Sequence, residues 1–363
     1  MKKRKRIAIL TGGGDCPGIN AVIRAVTKKA IIEYDIEVIG VKDGYEGLIE
    51  NRYRKLEYND VSNILTLGGT ILGTTKKANP YHYAIGKGDR LEFRDLSRVV
   101  IKNIKKLKLS SLVCIGGDGT LGIAYQLFKD EIPIVGVPKT IDNDLKGTDI
   151  TFGFDSAVSI ATEGIDRVHT TAESHHRIMI VEVMGHHSGW IALYSGVAGG
   201  ADIILIPEIP YDINRIAEVI KRREKKGKRF SIVVVSEGAR PKGGKVVIQR
   251  IVEESTDPVR LGGIGFALGE KIEEFTEFDT RTVVMGHLQR GGSPTPFDRV
   301  LATHLGTRAV DMIIKKEFGY MVGVKGNSLV KVPLKIVAQG PKKVPLIHPL
   351  IKSARSLGTC FGD

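Results

Sequence analysis

The chain has little cysteine, few aromatics and no long apolar run, and each shortage argues against a class of protein. Only three cysteines occur in 363 residues, Cys16, Cys114 and Cys360. An odd count without metal-ligand spacing argues against a disulfide scaffold or a cysteine zinc site and leaves reduced structural thiols. Aromatic residues make up 6% of the chain, and Trp190, its one tryptophan, reads as core packing. No apolar run approaches the roughly eighteen residues of a membrane span. The basic start Lys2-Lys3-Arg4-Lys5-Arg6 leads into only Ile7-Ala8-Ile9-Leu10, too short for a signal-peptide core. A cytoplasmic protein with no membrane partner is expected.

Charge is what the chain has in excess, with a formal net of +13. Nucleic acid is not the expected partner, because aromatics are sparse and no basic recognition helix or ribonucleoprotein motif occurs. Much of the excess falls in Lys221-Arg222-Arg223 with Lys225-Lys226, and in Lys102, Lys105, Lys106 and Lys108 interleaved with Ile101, Ile104 and Leu107. That spacing is the solvated face of an amphipathic helix. A basic surface also concentrates phosphorylated metabolites by field steering.

The length exceeds what one hydrophobic core usually supports, so two domains are expected. Strands and helices alternate. Ile7–Leu10, Ile36–Val41, Leu112–Ile115 and Ile132–Val137 read as strands, with helices at Asn20–Tyr34, Leu96–Lys106 and Thr120–Phe128. The second half repeats the theme: strands Arg177–Val183, Ala201–Ile206 and Ser231–Ser236, helices Ala157–Val168, Gly189–Gly199 and Arg215–Lys225. This order predicts an α/β protein of two doubly wound, Rossmann-like parallel-sheet domains facing each other across a cleft. No low-complexity linker separates them, so the chain is expected to cross over more than once.

The polar chemistry sits at predicted strand ends, where parallel sheets bind ligands. Pro138-Lys139-Thr140-Ile141-Asp142-Asn143-Asp144 puts two carboxylates two residues apart beside a hydroxyl and an ammonium. Such a set suits deprotonating an alcohol next to a phosphate, as in a kinase for a small hydroxylated substrate. The loop from Gly12 to Asn20 has three consecutive glycines before a helix, a backbone that lets N–H groups approach an anion. It is neither a Walker loop nor a clean dinucleotide fingerprint. In Gly116-Gly117-Asp118-Gly119-Thr120, Asp118 is either a helix cap or a magnesium carboxylate among phosphate-binding glycines.

Later clusters follow the same pattern. Met184-Gly185-His186-His187-Ser188-Gly189 reads as a substrate-facing turn, and Glu237 ends an apolar strand where it could accept sugar hydroxyls. Arg281, His287 and Arg290 surround one strand with cations that suit a phosphate ester. His169, His175, His176, His186, His187 and His287 lack metalloprotein spacing, so zinc is not expected. Gly263-Ile264-Gly265-Phe266-Ala267-Leu268-Gly269 has the wrong spacing and no predicted strand before it, and reads as helix packing.

Together these residues resemble 6-phosphofructokinase nearly end to end. The motifs are Gly12-Gly13-Gly14-Asp15-x-Pro17-Gly18-x-Asn20, Gly116–Thr120, Pro138–Asp144 with Lys146-Gly147-Thr148-Asp149, Glu182–Gly185, and Gly286-His287-x-Gln289-Arg290-Gly291-Gly292-Ser293-Pro294. The tail Ala354–Asp363 is similar to the bacterial mixed-substrate branch, which holds both ATP- and pyrophosphate-using members. The resemblance implies a glycolytic transfer of phosphoryl to the 1-hydroxyl of fructose 6-phosphate. It makes Asp142 the base, with Thr140 and the Gly14 N–H holding the transferring group beside Lys139. Asp118 would bind Mg2+, with Asp144 in support, and Tyr45, Lys76, Lys77, Gly117, Gly119 and Thr120 would line the nucleotide. Arg177, Arg281, His287 and Arg290 would hold the sugar phosphate, and Met184, Gly185, His186 and Glu237 the sugar. Residues 1–153 with 289–339 would form the donor domain, and 154–288 with 340–363 the sugar-phosphate domain.

In the family, Arg177 and Arg281 reach across from a neighbouring subunit, so self-association is implied, a homotetramer or a homodimer. Basic positions of the family's effector site are matched at Arg24, Lys226 and Lys228 but not at Tyr58 and His169, so a weak or absent response to ADP and phosphoenolpyruvate is implied. For the donor, glycine at 119 goes with ATP in the family and aspartate with pyrophosphate. Lys139, in contrast, replaces a glycine usual in ATP enzymes and is common in pyrophosphate enzymes. ATP is the reading favoured, with pyrophosphate as the alternative.

Overall fold

Alternating apolar runs build two sheets whose strand ends point at one another. The computed structural model describes residues 4–86, 88–255 and 258–363. The chain opens as β1 (Arg6–Thr11), α1 (Ile19–Tyr34), β2 (Glu37–Val41), α2 (Tyr45–Glu50) and β3 (Tyr53–Leu56). A small ribbon, β4 (Tyr83–Ile85) and β5 (Glu92–Arg94), precedes α3 (Ser97–Lys106), β6 (Ser111–Gly116), α4 (Asp118–Lys129) and β7 (Ile134–Pro138). Next come α5 (Phe154–His175), β8 (Ile178–Val183), α6 (Trp190–Ala198), β9 (Ile203–Leu205), α7 (Ile213–Lys225) and β10 (Ser231–Ser236). The hairpin β11 (Ile248–Ile251) and β12 (Val259–Leu261) leads into α8 (Ile264–Thr276) and β13 (Thr280–Val284). Last are α9 (Pro296–Ile314), β14 (Tyr320–Lys325), β15 (Ser328–Pro333), α10 (Leu334–Val337) and α11 (Pro349–Ser356).

Among the described residues, the first sheet has seven strands in the order β15-β14-β7-β6-β1-β2-β3. Its interior pairs are parallel, and β3 and β15 close the two edges antiparallel. The second sheet, β13-β8-β10-β9, is parallel throughout. Successive strand residues point to opposite faces, and the core follows that rule. Ile7, Ile9, Val113 and Ile115 join one cluster, whereas Ala8, Leu10, Leu112 and Cys114 join another with α3 and α4. The first cluster runs on through Ala157, Ala161 and Ile165 of α5 to Val181 and Val234 of the second sheet. One apolar core therefore spans both sheets and fixes how their strand ends face.

The chain passes to the second sheet after β7, returns after β13, and crosses again after α10, where Cys360 bridges to Ile203. Helix α5 is longer than the expected Ala157–Val168, because Gly153 at φ 95° starts it early and its last turns stay helical to His175. Strand β9 is shorter than Ala201–Ile206: the Ala201 N–H goes back to Gly196 O, and Ile206 O turns to accept from Ile209. A short strand, β12, does precede Gly263, contrary to expectation, but Gly265 and Gly269 still serve packing against Glu182 and Thr280. Trp190 is buried as expected, its Nε1–H donating to Lys342 O at 3.2 Å. Cys16, Cys114 and Cys360 are free thiols, the first two buried.

Candidate active site

Three neighbouring strands of the first sheet end together. In register, Thr11 lies beside Ile115 and Gly116 beside Pro138. Their loops therefore emerge side by side, carrying Gly13 and Gly14, Asp118 to Thr120, and Lys139 to Asp144. Facing them, β8, β10 and the turn after β13 present Met184, His186 and His187, then Glu237, then His287 and Arg290. Of the third loop Lys139, Thr140, Asp142 and Asp144, together with the other loop residues named and those facing them, line one cavity of about 500 Å³.

Gly13 has φ 80°, a backbone that favours glycine, and a Cβ on Gly14 would sit 2.6 Å from Arg290 Nη1 and push the ends of the Arg290 and Lys76 side chains aside. The Gly13 N–H donates to Thr75 O at 3.2 Å, and the Gly14 carbonyl accepts from Lys139 Nζ. Helix α1 begins only at Ile19, beyond the cavity, so the helix start that faces an anion there is that of α4, not α1. Gly117 is the α4 N-cap and makes no side-chain cap bond. Asp118 is thus not the cap; its Oδ1 accepts from the Gly119 N–H at 2.7 Å while the side chain stays exposed in the cleft. Gly119 has open space where a side chain would go. Tyr45 lies at the cavity floor, its hydroxyl donating to Thr120 O at 2.8 Å.

Asp142 is 9% exposed and its Oδ1 makes no hydrogen bond, while the backbone N–H donates to Thr140 Oγ1 at 3.0 Å. A buried carboxylate oxygen without a donor is unusual and suits an incoming hydroxyl. The surrounding charges are tuned by burial. Burial, with the Asp142 and Asp118 charges, raises Asp144 above the usual carboxylate range. Burial and the Asp142 charge push Glu237 up to about 7, although its carboxylate accepts the His186 N–H at 3.0 Å. His186 reaches that bond with φ 51°, a backbone region that non-glycine residues rarely occupy. Burial, then the Arg290 and Lys76 cations, lower Lys139 to about 8.

That value sets a pH prediction. The Lys139 ammonium is present below about 8 and lost above it, so affinity of the cavity for a phosphate anion should fall as pH rises through that range. Lys139→Arg, which stays charged, should flatten the fall in a titration of inorganic pyrophosphate binding between pH 7 and 9.5. Stability moves the other way: the cost of burying the charged lysine is full below about 8 and is relieved as pH rises from there to the ordinary lysine value of 10.5.

Some expected residues lie apart. Lys77 is exposed at the rim, 3.9 Å from Glu254. Gly185 is just behind the cavity wall, its carbonyl accepting from Ser188 at 2.9 Å. Arg177 and Arg281 lie outside the cavity, both bonded to Asp279, at 2.7 and 2.5 Å. His187, from the turn read as substrate-facing, lines the cavity too, and the structure brings in residues that the motifs did not mark: Thr75, Gln249, Arg250 and Arg260. The last three belong to the β11–β12 hairpin, whose sequence carries no motif.

Residues 6–313 match the family described as Phosphofructokinase. The chain belongs to the phosphofructokinase family. It is 52% identical over the whole of both chains to a Clostridium perfringens protein named ATP-dependent 6-phosphofructokinase 2. An Amycolatopsis mediterranei protein named pyrophosphate–fructose 6-phosphate 1-phosphotransferase is 48% identical, over 94% of this chain and 96% of that one. Among solved structures, phosphofructokinase from Pichia pastoris superposes with a TM-score of 0.80 at 33% identity, over 93% of this chain. This chain spans only 36% of that larger one. No described helix is long and apolar enough to cross a membrane.

Proposed function

We propose that this phosphofructokinase transfers the terminal phosphoryl group of ATP to the 1-hydroxyl of fructose 6-phosphate, giving fructose 1,6-bisphosphate. The observation that carries the reading is Asp142, a buried carboxylate with an unbonded oxygen, set between the glycine turns and the sugar-side residues of one cavity. Asp142 takes the proton of the attacking hydroxyl. Thr140, the Gly14 N–H and Lys139 hold the transferring group, whose charge needs positioned donors rather than covalent help. Gly117 to Thr120, Tyr45, Lys76 and Lys77 accommodate the nucleotide. Met184, His186 and Glu237 orient the sugar, Gly185 shaping the turn behind them, with His287 and Arg290 on its phosphate.

Mg2+ fits the donor set. Asp118 offers a hard oxygen, and Mg2+ usually takes one or two carboxylates, with substrate phosphates and water completing it. The raised Asp144, crowded by Asp142 and Asp118, marks negative charge that a cation would relieve. Bound there, Mg2+ neutralises charge on the donor phosphates. Asp118 would hold it and Asp144 would support the site.

The first sheet, drawn from residues 6–138 and 320–333, and the second, from 178–284, support a donor domain of 1–153 with 289–339 and a sugar-phosphate domain of 154–288 with 340–363. Arg177 and Arg281, outside their own cavity, fit a neighbour's sugar phosphate in a homotetramer or homodimer in the cytoplasm. Arg281→Ala should then raise the KM for fructose 6-phosphate about tenfold or more, with ATP affinity little changed and sedimentation recording the assembly. An equal effect on both substrates would remove Arg281 from the sugar phosphate. A coupled assay with fructose 6-phosphate, comparing ATP with pyrophosphate, tests the whole reading; no turnover with ATP would overturn it.

A further inference from the structure

The hairpin β11–β12 forms a third wall of the cleft, through Gln249, Arg250, Pro258, Val259, Arg260 and Leu261. It leaves the second sheet after β10 and returns into α8, whose start is held by a buried carboxyl group. Glu182, 2% exposed, accepts the Gly263 and Gly265 N–H groups at 2.9 and 2.8 Å. From that anchor the hairpin reaches the opposite wall, where Glu254 approaches Lys77.

Arg250 and Arg260 are directly opposed across the two antiparallel strands. Opposed residues share a face, and like charges so placed destabilise the pair. Arg260 donates to Ser255 Oγ at 2.8 Å and Val259 O at 3.3 Å, and among the described residues Arg250 joins no ion pair. A local arrangement that works against the fold is expected where it serves a site. These two cations line the cavity that also holds the start of α4 and its glycines.

We infer that Arg250 and Arg260 clamp the polyphosphate of the donor nucleotide. An anion between the two guanidinium groups turns their repulsion into two charge-assisted forks. The hairpin's reach to Lys77, on the nucleotide side, directs the pair to the donor rather than the sugar. The inference rests on the proposed ATP-dependent activity and adds residues that set donor affinity and orientation.

The test uses the full chain with Arg250→Gln and Arg250→Lys, reading equilibrium binding of ATP and of fructose 6-phosphate by calorimetry, together with Tm. Arg250→Gln should weaken ATP binding by about tenfold to a hundredfold, and Arg250→Lys by less. Fructose 6-phosphate affinity should change by less than about twofold, and Tm should hold or rise as the opposed charges are relieved. Unchanged ATP affinity, equal losses for both ligands, or a lowered Tm with general loss of binding would each overturn the clamp. If the native chain uses pyrophosphate and not ATP, the donor reading fails separately. Weaker pyrophosphate binding by Arg250→Gln would then uphold the clamp, and unchanged binding would overturn it.

Discussion

Asp142→Asn should lower kcat by about a hundredfold to ten-thousandfold, the usual range for loss of a general base, while fructose 6-phosphate still binds. Asparagine keeps the shape of the side chain and can still accept the Thr140 hydroxyl, 3.5 Å from Oδ2 in the native chain. Oδ1 makes no bond within the fold, so the substitution breaks no structural partner there. Stability should therefore change little. The same variant removes a negative charge that raises Asp144 and Glu237, so both should titrate at lower pH, as carboxyl signals followed by NMR would record. A kcat equal to the native value would remove the base from Asp142 and with it the proposed chemistry.

Much of this site was legible because its chemistry lies in short loops directly after apolar strands. Thr11, Gly116 and Pro138 end three neighbouring strands, so residues far apart in sequence meet with no long-range guess beyond strand order. Strand β10 occupies Ser231–Ser236, the bounds its apolar run predicts, because a fully buried parallel strand is apolar throughout. The helix-cap role open to Asp118 in the sequence is excluded only by the fold, since capping depends on backbone geometry and the cap falls at Gly117.

Other parts were hidden for physical reasons. Ile248 and Ile251 of β11 are exposed, and the β11–β12 register is broken between Ile248 and Arg250. A solvated, bulged ribbon lacks the clean alternation that marks a half-buried strand. Arg250 and Arg260 are ten residues apart in sequence, and only the hairpin register makes them opposed neighbours. Arg177 and Arg281 converge on Asp279 because β8 and β13 pair in parallel with Arg281 beside Met179. The motif implies a phosphate contact, whereas both arginines lie outside this chain's cavity.

Gly119→Asp should cut turnover with ATP by about a thousandfold. A carboxylate about 4 Å from the α-phosphate costs about 4 kcal/mol at an effective dielectric near 20, and about 1.4 kcal/mol is a factor of ten in rate. The fold should tolerate the change. A Cβ at Gly119 meets nothing within 4 Å, and the position lies in the first turn of α4, where an acidic side chain favours the helix dipole. Tm should accordingly hold or rise while ATP turnover collapses, which separates electrostatic exclusion from misfolding. Fructose 6-phosphate affinity should move far less than ATP activity, because its proposed contacts lie on the opposite wall. Pyrophosphate has no α-phosphate bearing a nucleoside, so any activity with it should suffer less and the donor preference should shift toward it. Steady-state rates with each donor decide the point, and native ATP turnover in the variant would contradict Gly119 as the feature that admits the nucleotide.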